Sequence, residues 1–350
     1  MTSALAFALF VIVVALIFEL INGFHDAANS IATVTATKVL TPNQGIALAA
    51  VFELVGAFCG TAVATTIATG LVKAEFITLT TIFGGLIGGI IWNLLTWWFG
   101  LPSSSSHALM GGLCGAGVAS AGGSLSVINF GTIEHKVLVP MISSPCVGFF
   151  CSFLVMGLLL WALHQWRPVT VNFTFGKGQI LSAAFMALSH GMNDAQKTMG
   201  TIALTLVTAT KVGAFDHLPP ALQFLHTPEF KVASWIKVAC ALTMAAGTAM
   251  GGRRIMKTLG KKMVKMQPIH GFAAQTTAAT VIFVASKMGM PISTTHVITT
   301  SIMGVGATKR LNAVKWGVVG RIVIAWIFTL PISALLSFAL VWLLHLAGLK

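Results

Sequence analysis

Long apolar stretches dominate this chain and leave it few ways to fold. They run at about 4–22, 45–70, 79–100, 104–120, 137–163, 179–209, 232–250, 269–289, 293–308 and 316–345. A helix needs about 20 apolar residues to cross a bilayer core, so most of these stretches suit one span and some suit a bent or partial one. Inside lipid a backbone must satisfy its own N–H and C=O groups, which only helices and closed barrels do. The runs lack the alternating pattern of a barrel strand. Composition agrees: 56% of the 350 residues are apolar and 8% are charged, against about 25% charged in an ordinary soluble domain. The expected architecture is an all-α integral membrane protein with roughly 10–12 transmembrane or re-entrant helical segments.

The net charge of +13 would suggest nucleic acid in a soluble protein. Here the basic residues sit in short loops between apolar runs, as the positive-inside rule requires. No aromatic-basic interleaving of a nucleic-acid surface is present. The five cysteines, Cys59, Cys114, Cys146, Cys151 and Cys240, form no C-x-x-C pair and lie in apolar surroundings. They are expected to pack, not to bind metal or form disulfides. Ala4 to Leu20 has no basic leader region and no small-residue cleavage site, so a first span is expected there and not a signal peptide.

The chain repeats itself. Gly23-Phe24-His25-Asp26-Ala27-Ala28-Asn29-Ser30 recurs 168 residues on as Gly191-Met192-Asn193-Asp194-Ala195-Gln196-Lys197-Thr198. Leu101-Pro102-Ser103-Ser104-Ser105-Ser106-His107 recurs 189 residues on as Met290-Pro291-Ile292-Ser293-Thr294-Thr295-His296, and Gly115 and Gly117 match Gly304 and Gly306 at the same offset. A polar insertion from Asp216 through His217 to Glu229 accounts for the difference. Two halves are therefore expected, 1–166 and 178–350, joined by a cytoplasmic linker at 167–177.

Charge sets their relative orientation. Segment 251–268 holds Arg253, Arg254, Lys257, Lys261, Lys262 and Lys265, whereas its counterpart at 62–79 holds only Lys73. Segment 309–315 holds Lys309, Arg310 and Lys315, and its counterpart at 120–126 holds no basic residue. Equivalent loops on opposite sides of the membrane mean two inverted-topology repeats, a common build for secondary transporters. That places both termini outside and 38–44, 166–178, 251–268 and 309–315 in the cytoplasm.

Intramembrane carboxylates are expensive and usually line a site or a pathway, and Asp26 and Asp194 recur at matched positions. Asn29 and Thr33 share a helical face with Asp26; Lys197, Thr198 and Thr201 share one with Asp194. Such oxygens suit a hard cation or a proton relay. The structural alternative is an Asp capping a helix break beside Gly23 or Gly191. The two Ser/Thr segments can start helices whose free N–H groups and hydroxyls cradle an oxyanion, or they can simply be caps. His107 and His296 are more often satisfied structural groups than ligands. Glu53, deep in an apolar run, is either functional or one member of a buried pair. Glu19 is an entry residue or a membrane-interface residue, and the sequence does not choose.

Together these residues resemble the inorganic phosphate transporter (PiT) family, in its bacterial low-affinity permease type. The family's mark is a duplicated G-x-N-D-x-x-N segment with a duplicated P-[IV]-S-x-T-H segment, and the resemblance covers essentially the whole chain. It implies a non-enzymatic carrier in the cell inner (plasma) membrane that imports inorganic phosphate with sodium or protons and uses no other cofactor. The implied substrate residues are Ser104, Ser105, Ser106, Ser293, Thr294, Thr295 and Asn193. The candidate coupling-cation residues are Asp26, Asn29, Asp194 and Glu53, which the resemblance implies, and Lys197, which departs from it, with Asp26, Asn29 and Asp194 as metal ligands under sodium coupling. Three positions depart from the pattern: His25, Lys197 and Gln275 replace residues that are Asn, Asn and, in some members, Glu. The Lys197 and Gln275 changes remove negative charge from the centre, which favours proton coupling or carriage of a neutral divalent metal–phosphate complex. A sulfate permease of the same architecture is the alternative. An intramembrane enzyme is a minor one, because Ser189, His190 and Asp194 crowd one stretch and adjacent helix residues do not face each other. No ATP-binding loop is present. Oligomeric state stays open, a homo-oligomer included.

Overall fold

The computed structural model describes residues 3–216 and 218–349; His217, within the expected insertion, lies outside them. In chain order the helices are α1 (Ser3–Ala36), α2 (Pro42–Ala57), α3 (Ala62–Gly70), α4 (Leu79–Phe99), α5 (Ser105–Ser120), α6 (Phe130–Ile133), α7 (Val139–Ala162), α8 (Pro168–Lys211), α9 (Ser234–Met250), α10 (Arg253–Lys257), α11 (Pro268–Lys287), α12 (Thr294–Lys309) and α13 (Trp316–Leu346). Apart from one isolated bridge, Val72 to Ile128, the described residues form no β-structure. The all-helical membrane architecture expected from the apolar runs is what forms. Among the described residues five helices are long and apolar enough to cross a membrane, and α2 with α3, bent by 74°, makes a broken span or a re-entrant loop. α7 and α13 flank the bundle and expose large apolar side chains such as Phe150, Leu154, Trp161, Ile327 and Leu335. That surface is the one lipid would cover.

Local sequence explains the ends of these elements. Thr41 opens α2 with a capping box to Gln44, and Pro42 sits in the first turn. Thr78 opens α4 by a like exchange with Thr81, and Gly100 ends it in the left-handed conformation, φ 64°. Ser104 and Ser293 cap α5 and α12 by accepting from the backbone N–H of His107 and His296, both at 3.2 Å. These two 16-residue helices are too short to cross a bilayer by themselves.

Three segments take forms that the sequence left open. No helix break occurs at Gly23 or Gly191: α1 and α8 run unbroken for 34 and 44 residues. The glycines instead let helices touch. A Cβ on Gly23 would run into Met244 O of α9, and one on Gly191 into Glu53 O of α2. Small residues do this wherever helices must approach closely in lipid. Residues 168–177, expected as a linker, are the first turns of α8, opened by Pro168. The basic segment 251–268 contains α10 and a π-type turn at Thr258–Lys262.

Helices far apart in the chain pack together. α1 lies against α9 and α8 against α2; α5 lies against α13 and α12 against α7. The two helices that carry the repeated Asp signature run antiparallel. Thr198 of α8 donates to Glu19 of α1, whereas at the other end Thr37 of α1 donates to Gln179 of α8 at 2.8 Å. The segments expected in the cytoplasm gather at one end. Thr41, Pro42 and Asn43 share a cavity with Arg253, Lys257 and Lys261. Trp166 and Pro168 share another with His270 and Lys309, and Lys315 N–H bonds Met263 O at 3.0 Å. Glu75, Thr78, Ser120, Gly122 and His345 line a third cavity, beyond the far ends of α4, α5 and α13.

Candidate substrate and cation site

The middles of α1 and α8 meet the N-termini of α5 and α12 at one buried polar cluster. Position 26 lies within a helix, so its carboxylate has no backbone donor to lean on and must be satisfied by side chains. Ser105 Oγ donates to Asp26 Oδ2 at 2.7 Å. His25 Nδ1 lies 2.7 Å from Asp26 Oδ1, and Thr295 Oγ1 donates to that oxygen at 3.3 Å. His25 is itself held, its Nε2 3.1 Å from Thr96 Oγ1. One turn on, Asn29 donates its amide to Thr295 at 2.9 Å and to Thr294 at 3.4 Å, while its Oδ1 is buried without a partner.

The second signature supplies the mirror group. The Lys197 ammonium donates to Asp194 Oδ1 and to Ser106 Oγ. Thr294 Oγ1 donates to Asp194 Oδ2 at 3.4 Å, and His190 Nε2 stands 3.1 Å from the same oxygen. Asp26, His190 and Asp194 offer ligand atoms within 4.8 Å of one another. Every one of these residues is at most 2% exposed. The arrangement is therefore closed, with two carboxylates, one ammonium and four hydroxyls at the converging N-termini of two helices. Helix N-termini favour an anion and the paired carboxylates a cation.

Other expected residues fall around this centre in different roles. Ser104 and Ser293 are the helix caps. Asn193 turns away and holds the segment before α12, donating to Ser286 Oγ at 2.8 Å and Met290 O at 3.2 Å. Glu53 is the buried pair member that the sequence left without a partner. It lies 2.9 Å from His190 Nδ1, accepts from Ser30 at 3.1 Å and also accepts from Thr248. Gln275 holds the same region, donating to Ser30 O at 2.8 Å.

A model of the phosphate transporter family (PHO4) matches residues 22–337. The chain belongs to this family. It is 44% identical over 340 residues to a probable low-affinity inorganic phosphate transporter of Rhizobium meliloti, covering 96% of this chain and 97% of that one. It is 40% identical over 340 residues to one from Bacillus subtilis, covering 96% and 97%. A solved structure, "The sodium-dependent phosphate transporter", superposes with a TM-score of 0.82 at 23% identity and covers 97% of this chain and 99% of that one. This phosphate transporter is thus a carrier and not an enzyme, and the family sets phosphate in place of the sulfate alternative.

His190 is what sequence reasoning missed in this phosphate transporter. It was weighed only as part of a crowded Ser-His-Asp echo. Its spacing of four from Asp194 was the available signal, because that places both on one helical face.

Proposed function

We propose that this protein is a secondary active symporter that imports inorganic phosphate, with the proton as its coupling cation. The observation that carries the reading is Lys197, whose ammonium bonds Asp194 and Ser106 at the cluster. A fixed positive charge stands there beside the second carboxylate, where a sodium ion would compete with it. Phosphate would take the hydroxyls of Ser105, Ser106, Thr294 and Thr295, with Asp26, Asn29, Asp194 and Glu53 handling the cation. The antiparallel α1 and α8, and the exchanged packing partners of the two halves, support two inverted repeats that rock about the fixed site. The basic end faces the cytoplasm, both termini lie outside, and the membrane is the bacterial inner membrane. The close approach of Asp26, His190 and Asp194 favours one second reading, in which a divalent metal travels with the phosphate.

The test is uptake of labelled phosphate into proteoliposomes, with proton and sodium gradients imposed separately and divalent metal present or chelated. Accumulation driven by protons alone, with sulfate unable to compete, is the expected result. A strict sodium requirement would overturn the proton reading, and loss of uptake on chelation would favour the metal complex.

A further inference from the structure

Glu19 lies in α1 seven residues before Asp26, about 10 Å along the helix axis. It is fully buried, which removes the membrane-interface reading of this residue. Its Oε2 accepts from Thr198, and its Oε1 has no partner. One turn on, Asn22 Oδ1 is also buried and unpartnered. Glu19, Asn22, Asp26, Asn29 and Thr33 fall on one side of α1. Asn29 Oδ1 and Thr33 Oγ1 lack partners too. A buried acceptor without a donor costs about 1–3 kcal/mol. Four along one helix face are a pattern that packing alone does not call for.

The surroundings of Glu19 supply one cation. On α8, Thr198, its hydrogen-bond donor, directly follows Lys197, which bonds Asp194. From α9 comes Cys240. α4 brings no ionisable side chain. Glu53 of α2 is engaged further along α1, by Ser30, His190 and Thr248. His107 of α5 is packed against His296. Glu19 and Asp194 therefore share the field of Lys197.

From this we infer that Glu19 carries the coupling proton, and that protonating it strengthens phosphate binding through Lys197. The inference deepens the proton-symport reading and rests on it. Ionised, Glu19 draws on the charge of Lys197 and leaves less of it for an anion at Ser106. A proton on Oε1 turns that oxygen into a donor, for which the unpartnered Asn22 Oδ1 one turn on is an acceptor, and removes that competing charge. Phosphate and proton then bind cooperatively, each raising the other's affinity by the same factor. The proton arrives from water on the outer side and departs to water on the inner side. Glu19 returns to the carboxylate each cycle, and no bond to phosphate is made.

The experiment compares phosphate affinity across pH for wild type, Glu19→Gln and Glu19→Asp in the same proteoliposomes, and scores proton-driven accumulation in parallel. Taking the ratio of variant to wild type at each pH cancels phosphate's own titration. Glu19→Gln is expected to keep the acid-side affinity at alkaline pH, about tenfold tighter than wild type there, a factor usual for coupled sites. It is also expected to lose proton-driven accumulation. Glu19→Asp is expected to retain the wild-type slope. Parallel slopes for Gln and wild type would overturn the assignment. So would a Gln variant that binds no phosphate while the Asp variant does. Wild type that fails to accumulate phosphate under a proton gradient would instead overturn the symport reading itself.

Discussion

The imidazoles of His107 and His296 meet edge to face, with ring centroids 4.9 Å apart. These residues occupy equivalent positions in the two halves, so their contact marks where the halves face each other. Trp326 stacks on the outer side of His296 at 4.0 Å. The pair joins the N-terminal turns of α5 and α12 and sets how far apart the two helix starts can be.

Removing one ring should therefore weaken the join more than the chemistry. His107→Ala loses an aromatic pair worth about 0.5–1.5 kcal/mol and leaves a cavity in its place. A lowered melting temperature in detergent is expected, with phosphate binding retained. His107→Phe, which keeps the ring, should recover most of the melting temperature. A loss of binding in the Phe variant despite restored stability would show direct contact with substrate.

Lys197 should decide ion dependence. Lys197→Met strands Asp194 in the interior, and breaking a buried pair costs about 3–5 kcal/mol. Transport loss of at least a hundredfold is expected. On the proton reading, Lys197→Asn, which leaves room beside Asp194, should bring a sodium requirement. Uptake measured with and without sodium checks it, and unchanged ion dependence in the Asn variant would sink the idea.

Asp26 holds Ser105 and Thr295 in place as well as offering charge. Asp26→Asn keeps the size and loses the charge. A fall in uptake of about a hundredfold or more is expected, in line with losing two charge-assisted hydrogen bonds of about 1.5–3 kcal/mol each. The melting temperature should fall as well, because those two bonds hold α1 to α5 and α12 in the folded protein.

Glycine substitutions separate contact from propensity. Gly191→Ala puts a methyl group into the backbone of α2 at Glu53, whereas Gly157→Ala on α7 meets nothing within 4 Å. The first should destabilise and reduce uptake. The second should be neutral or stabilising by up to about 1 kcal/mol, the helix preference of Ala over Gly. Thermal unfolding of both variants checks the contrast.

Sidedness is open to labelling. In a background with the five cysteines replaced by serine, Lys261→Cys should react with a membrane-impermeant thiol reagent only from the cytoplasmic side. Gly122→Cys should react only from outside. The reverse pattern would invert the proposed topology.

Much of this was legible in the chain because it is local. Apolar runs give spans, and Ser104 and Ser293 announce their caps. The duplicated Asp signatures announce a site because a carboxylate has few other reasons to be in lipid. What escaped was the continuity of α1 and α8. His25, Asp26 and Asn29, or Asn193 and Asp194, are weak helix formers beside a glycine, so a helix break stayed open as an alternative. Tertiary contacts override that weakness: Ser105 and Thr295 satisfy Asp26, and Thr294 reaches Asp194, from other helices. The partner of Glu53 also escaped, since His190 is 137 residues away in the chain and no local pattern links them.

The unbroken α1 and α8 have a mechanical consequence. Each signature sits partway along a rod that reaches both ends of the bundle, braced near its centre by glycine contacts with α9 and α2. At 1.5 Å rise per residue α8 is about 66 Å long, so a tilt of about 5° carries its tips about 3 Å in opposite directions. Whatever opens a path at one end of such a see-saw narrows the path at the other. The polar cluster proposed to hold the phosphate lies near that pivot, so on this reading binding and gating are one motion of one lever.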